Sequence, residues 1–316
     1  MVENDDLRHT KLALSKGSGA IPALGFGTLI PDPVATKTAT KAALDAGFRQ
    51  LDASERYRNE SEVGEAMREV FTAGTVKRED VFIATELWNN NHRPERVKPA
   101  FEAGLEGLRL DYVDLYLIHT PFAFQPGDEQ DPRDAGGDVI YDEGVTLLDT
   151  WRALERLVDE GGARPSCCPT SAWNKRARSS KPGGSSRPWF TSSPIRTSRN
   201  GTSWTIASGT ASCCKHLRRW GHSSEPKLLG DPLIITIAER VNKTPAQVLL
   251  AWAIRRGTAL LTTSTTPSRI KENFEVSALP DDAMREISEG IKTRVRFNPV
   301  VETGIPGFIP RGNGVR

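Results

Sequence analysis

The stretch GFRQLDASERYRNE, residues 47–60, decides how the chain is read. A glycine closes an amphipathic helical run. Five residues, 49–53, then carry the apolar alternation of a short strand. The polar segment SERYR follows, with Tyr57 inside it, and Asn59 with Glu62 resembles a capping box that opens the next helix. A strand held between two helices, with its ionisable residues gathered after it, is half of a βαβ unit.

Working outward, the same pattern repeats. Strands are expected at 24–29, 49–53, 81–87 and 113–119, and helices at 33–46, 60–73, 94–108 and 145–160. Pro94 suits a first helical turn. Further on, Thr244, Pro245 and Gln247 mark the start of the helix PAQVLLAWAIRRG, with Gly257 at its C-terminal cap. A strand, ALLTTS, and a helix from Pro267 come next, and the tail after Thr293 reads as a loop. Alternating strands and helices imply a parallel sheet with right-handed crossovers. Four units before residue 160 and a last one near the C-terminus predict an α/β fold, a (β/α)8 TIM barrel, formed by residues 1–316 as one domain.

In such a barrel the chemistry sits where the strands end. Asp52, Glu86 and His119 end the second, third and fourth strands, and Tyr57 lies in the loop after the second. A phenol and an imidazole at neighbouring strand ends can handle a carbonyl together. The imidazole hydrogen-bonds the oxygen while the phenol gives up a proton. Taken singly, these residues have plainer readings. His119 after LYLI fits a strand end, Tyr57 a surface loop and Asp52 a cap.

Several motifs carry a resemblance. GFRQLDASERYRNE is similar to the signature of the aldo-keto reductases, whose catalytic Asp and Tyr fall at Asp52 and Tyr57. DYVDLYLIHTP (111–121) resembles the family's fourth strand and places the substrate-orienting His at His119. GFGT (25–28) resembles its first strand, with Thr28 near the nicotinamide. STTPSRIKEN (264–273) resembles its adenine-phosphate segment, which implies cofactor contacts at Ser264, Thr265, Arg269, Glu272 and Asn273. Asp52 also belongs to the cofactor set, and Trp88 matches a substrate-pocket position. The resemblance implies NADPH-dependent reduction of an aldehyde or ketone, with NADH also admissible. It implies a small-molecule carbonyl substrate and no metal.

Two departures stand out. The family's catalytic Lys, which helps the Tyr ionise, belongs where this chain has Glu86, in ATELW. A carboxylate near Tyr57 acts in the opposite sense and sets a second acid near Asp52. The reading that follows is a weakened enzyme, with a catalytically inactive, nucleotide-binding relative as the alternative. Thr263 stands where many members carry a Lys against the 2′-phosphate of NADPH. Arg269 remains for that phosphate, to which a guanidinium binds bidentately.

Residues 163–222 break the pattern. The segment holds 11 of the 42 Lys and Arg residues and no Asp or Glu, so the rest of the chain carries 31 basic against 40 acidic side chains. It also holds all four cysteines (Cys167, Cys168, Cys213, Cys214), four of seven tryptophans, and no Val. The paired cysteines lack the C-x₂₋₄-C spacing of a zinc site. A basic, Trp-containing stretch also fits a nucleic-acid-binding insert, a reading set aside in favour of a shift of reading frame.

The genetic code supports the shift. Joining the last base of each codon to the next two turns Cys213–Cys214 into Leu and Cys214–Lys215 into Gln. Trp189–Phe190 becomes Val, and Trp220–Gly221 becomes Gly. With the other positions free to vary within the code, the shifted segments can read L-Q-A-F-A-P-L-G and P-V-V-Y-I, similar to the family's seventh and sixth strands. The fifth to seventh strands are therefore expected to be disrupted or missing, which would open a barrel that otherwise has no free edges.

The N-terminus MVENDDLRHT lacks the basic start and apolar core of a secretory signal, and no run of about 18 apolar residues exists. The protein is expected in the cytoplasm, with no membrane or nucleic-acid partner. Sequencing the gene across codons 160–225 tests the frame shift. An open shifted frame encoding those strands is expected, and a stop codon in it rules the shift out.

Overall fold

The computed structural model describes residues 5–14, 19–120, 122–160 and 228–291. The expected irregular segment 163–222, the fate of the fifth to seventh barrel strands and the tail after Thr293 lie outside the described residues.

Five parallel strands form the sheet. They are β3 (Leu24–Gly27), β4 (Gln50–Asp52), β5 (Phe82–Leu87), β6 (Leu115–Ile118) and β7 (Leu260–Thr262), ordered β6-β5-β4-β3-β7. The last strand thus lies against the first one of the parallel set, as the closing seam of a barrel requires. Ahead of β3, β1 (Lys11–Ala13) and β2 (Ala20–Pro22) pair as an antiparallel hairpin that the sequence reading did not anticipate. Helices α1 (Pro33–Ala46), α2 (Glu60–Thr72), α3 (Pro94–Leu108) and α4 (Leu147–Asp159) follow the first four parallel strands. After the undescribed stretch come α5 (Pro232–Arg240), α6 (Pro245–Arg255), α7 (Pro267–Phe274) and α8 (Asp281–Gly290). Of these, α5 and α8 were not anticipated either.

The helix starts obey local chemistry. Asp32 caps α1 by accepting from the Ala35 amide, with Pro33 at the first helical position. Thr244 and Gln247, expected to mark the start of α6, form a capping box there, and Thr146 with Asp149 forms another at α4. The box expected at Asn59 and Glu62 does not form. Asn59 is buried, and its side-chain nitrogen instead donates to the Thr28 and Ile30 carbonyls at 2.7 and 3.1 Å. Those carbonyls lie past the end of β3, where no ladder serves them. Satisfying these buried acceptors takes the Asn59 side chain away from the amides of the helix start.

Strand ends are shorter than expected, but the ladder runs past them. The His119 amide still donates to the Leu87 carbonyl at 3.1 Å, and the Asp114 amide to the Ile83 carbonyl at 2.9 Å. One face of the sheet packs against the helices. Phe26 meets Phe48 with ring centroids 5.7 Å apart, and Phe48 meets Phe274 of α7 at 4.9 Å. Gly47 turns the chain out of α1 at φ 115°. A Cβ there would sit 2.4 Å from the Phe274 ring, so only glycine serves. On the opposite face β3 carries Gly25 and Gly27. A Cβ at either would lie 2.7 to 2.8 Å from the side chains of Gln50, Leu261 or Thr263. These glycines let neighbouring inner side chains close over β3.

Glu60, in the first turn of α2, faces β5 and accepts from the Thr85 hydroxyl at 2.7 Å. Burial pushes its carboxyl up to about 7, against the hydroxyl donor, which acts the other way. The raised value means that the folded chain holds a proton that the unfolded chain releases near pH 4.5. Stability associated with this group is therefore full at low pH and lost as pH rises toward 7. Glu60→Gln mimics the protonated form. It is expected to melt several degrees higher than the parent near pH 8, with the gap closing toward pH 4.5, as followed by circular dichroism.

Candidate active site

The parallel register determines which side chains share the inner face. Asp52 pairs with Ala84, Ala84 with Leu115, and Glu86 with Leu117. Side chains alternate along a strand, so Asp52, Glu86 and His119 all turn inward at the C-terminal rim. Thr28 and Trp88 follow at the ends of β3 and β5. Tyr57 joins them from a short 3₁₀ turn, Glu55–Tyr57, which Ser54 caps. Tyr57 is buried, so the surface-loop reading does not apply to it.

The Tyr57 and His119 ring centroids are 6.1 Å apart and nearly perpendicular. The Tyr57 hydroxyl donates to Asp52 Oδ2 over a long 3.5 Å. Trp88 packs edge-on against His119 at 4.8 Å and against Phe124 at 5.9 Å, forming an aromatic wall. Thr28 is fully buried, and its hydroxyl is committed to the Asp52 carbonyl at 2.8 Å.

Glu86 differs most from the expectation. Its Oε2 lies 2.7 Å from His119 Nδ1, making an ion pair when the ring is protonated. The sequence pointed to Tyr57 and Asp52 as its neighbours, and the imidazole was not foreseen as its partner. The Ser54 hydroxyl is also missing from the sequence reading. It lies 2.9 Å from the same nitrogen. The signal for Ser54 was its place just before the 3₁₀ turn, where serine commonly caps. Glu55 was missed as well. It accepts from the Trp88 amide at 3.1 Å and the Asn91 side chain at 2.6 Å, while burial pushes its carboxyl above the usual range.

The loop 124–144 is fastened across this rim. The Trp88 indole donates to the Gln130 carbonyl at 2.7 Å, and the Gln130 side chain donates to the Glu55 carbonyl at 2.9 Å. Arg58 reaches Gln130 Oε1 at 2.6 Å, and Arg56 pairs with Asp131 at 2.6 Å. Both arginines flank Tyr57, so the loop holds the tyrosine turn and the tryptophan in one frame.

The segment expected to hold the cofactor phosphate follows β7 at the same rim. Thr263 ties it to β3 by donating to the Gly27 carbonyl at 2.9 Å. Thr265 and Arg269 are exposed, and Ser264 is half-buried. Thr266, the N-cap of α7, makes no side-chain cap, so the amides of the first turn face outward with the positive end of the helix. This donor set fits a phosphate. Asn273 is partly engaged inward, donating to the Thr262 hydroxyl at 2.9 Å, and the Glu272 carbonyl accepts from Gln247 at 3.1 Å. Among the described residues, no cluster of three or more His, Cys, Asp or Glu side chains is placed to hold a metal, and no helix is long and apolar enough to cross a membrane.

Comparisons with known proteins identify the family. Residues 23–168 match the aldo/keto reductase family. The chain is 40% identical over 297 residues to aldo-keto reductase family 1 member D1 of Rattus norvegicus, covering 88% of this chain and 90% of that protein. It is 38% identical over 299 residues to dihydrodiol dehydrogenase 3 of Bos taurus, covering 89% and 91%. A solved aldose reductase from Schistosoma japonicum superposes with a TM-score of 0.79 at 30% identity, covering 96% of this chain and 99% of that one. The chain therefore belongs to the aldo/keto reductase family and has its (β/α)8 fold.

Proposed function

We propose that this single-domain chain is a cytoplasmic carbonyl reductase that converts a small aldehyde or ketone to the alcohol, using NADPH in preference to NADH. The observation that carries the reading is the meeting of Tyr57 and His119, two proton-bearing rings from different loops, against the apolar wall of Trp88 and Phe124. A carbonyl has its oxygen recognised by such groups while its carbon side chain rests on the aromatics. When bound, the dinucleotide supplies the hydride.

The residues divide the work. Ser264, Thr265 and Arg269 hold the adenosine phosphate, with Glu272 and Asn273 beside them and Thr28 and Asp52 near the nicotinamide end. Tyr57 and His119 orient the carbonyl and serve its oxygen, Tyr57 as acid. Trp88 shapes the substrate cavity. Glu86, standing where the family has Lys, removes the cation that helps a phenol ionise near neutral pH. Turnover is therefore expected to be slow.

A second reading, a nucleotide-binding relative without catalysis, is favoured by Glu86 at the family's Lys position and by the break in the strand pattern at residues 163–222. NADPH consumption with a generic aldehyde separates the two, alongside an NADPH fluorescence titration. Slow turnover is expected. Binding without any turnover would establish the second reading instead. Replacing Arg269 with Ala is expected to weaken NADPH by about tenfold or more and to leave NADH nearly unchanged, because only the former carries the 2′-phosphate. Equal losses for both nucleotides would remove Arg269 from the phosphate site.

A further inference from the structure

Glu86 and His119 are each about nine-tenths buried and meet at 2.7 Å through Oε2 and Nδ1. A carboxylate is a weaker base than an imidazole, so the proton between them rests on Nδ1. The Ser54 hydroxyl, 2.9 Å from Nδ1, then accepts a share of the same proton. A neutral imidazole has one N–H. Committed to Nδ1, it leaves Nε2 as a bare acceptor, and a bare acceptor cannot hydrogen-bond a carbonyl oxygen. Only the imidazolium presents an Nε2–H.

We infer that Glu86 is a positioning residue that fixes the His119 proton on Nδ1, so that carbonyl reduction draws its proton from the imidazolium Nε2. The inference rests on the carbonyl reductase reading and changes the proton source within it. The step balances. Hydride from the dihydronicotinamide brings two electrons and forms the new C–H bond. The π pair of the carbonyl moves onto oxygen, and the O–H bond forms as Nε2–H breaks. The ring is left neutral, still donating Nδ1–H to Glu86, and the dinucleotide is left oxidised. A lysine at this position would act oppositely. Its ammonium offers no acceptor, so nothing at that position would hold the neutral-ring proton on Nδ1.

Among the described residues, the ionisable groups facing His119 include Glu86 from β5, Tyr57 and Glu55 from the 3₁₀ turn, and Asp52 from β4 behind the Tyr57 hydroxyl. Arg56 is turned over Trp88, 5.1 Å from its ring centroid.

Nitrogen-15 correlation spectra of the full chain, labelled at its five histidines, test the assignment without any turnover. The His119 signals are identified by their loss in His119→Asn. A neutral ring protonated at Nδ1 is expected, moving to Nε2 in Glu86→Lys. A parent ring protonated only at Nε2 would overturn the inference, and the parent spectrum decides this even if the variant fails to fold. The rate of carbonyl reduction against pH is the second readout. The parent should lose about tenfold per pH unit on the alkaline side as the imidazolium disappears, and Glu86→Lys should be flat there. A flat parent profile would sink the imidazolium step while leaving the reductase reading intact. An Nδ1-protonated ring with no turnover at any pH would sink the reductase reading and the step together.

Discussion

The register of the parallel ladder is the constraint on which everything else depends. Asp52 opposite Ala84, and Ala84 opposite Leu115, set a common inner face across three strands. Side chains alternate with a period of two, so a slip of one residue in β5 would turn Glu86 outward among the helices and bring Thr85 inside. The slip is resisted from the outer face. Ile83 and Leu87 are buried against the helical layer, and Thr85 is bound to Glu60 of α2. Packing on the outer face thereby fixes the chemistry of the inner one.

That constraint also makes Glu86 consequential. On a free surface, an exchange of Lys for Glu changes a local charge and little else. Here the register directs the side chain to a nearly dry rim, where it meets a ring nitrogen of His119. A carboxylate in such a place must be satisfied by hydrogen bonds or ion pairing. The imidazole and its other neighbours provide them. Charge at one position is thus converted into proton placement at another, on the ring expected to meet the substrate.

The loop 124–144 adds a second layer of order. Its bonds to Glu55, Arg56, Arg58 and Trp88 are made by backbone carbonyls, amides and paired charges. No regular element in the sequence announced them. The loop ties the tyrosine turn to the tryptophan wall, so the proposed acid and the proposed substrate wall are held by the same contacts.

The sequence by itself determined the local and periodic features. Helix lengths, the proline starts at Pro94 and Pro245, the Thr244–Gln247 capping box and the order of strands and helices follow from rules acting within a few residues. The family motifs named Asp52, Tyr57, His119 and Glu86, and strand-end logic placed them on one rim. Only the tertiary structure decided which of them touch. It gave Glu86 to His119, with Ser54 beside them, and it drew Asn59 away from the helix it should have capped. Hydrogen bonds between residues 24 to 75 positions apart depend on how elements pack, and no local rule contains that information.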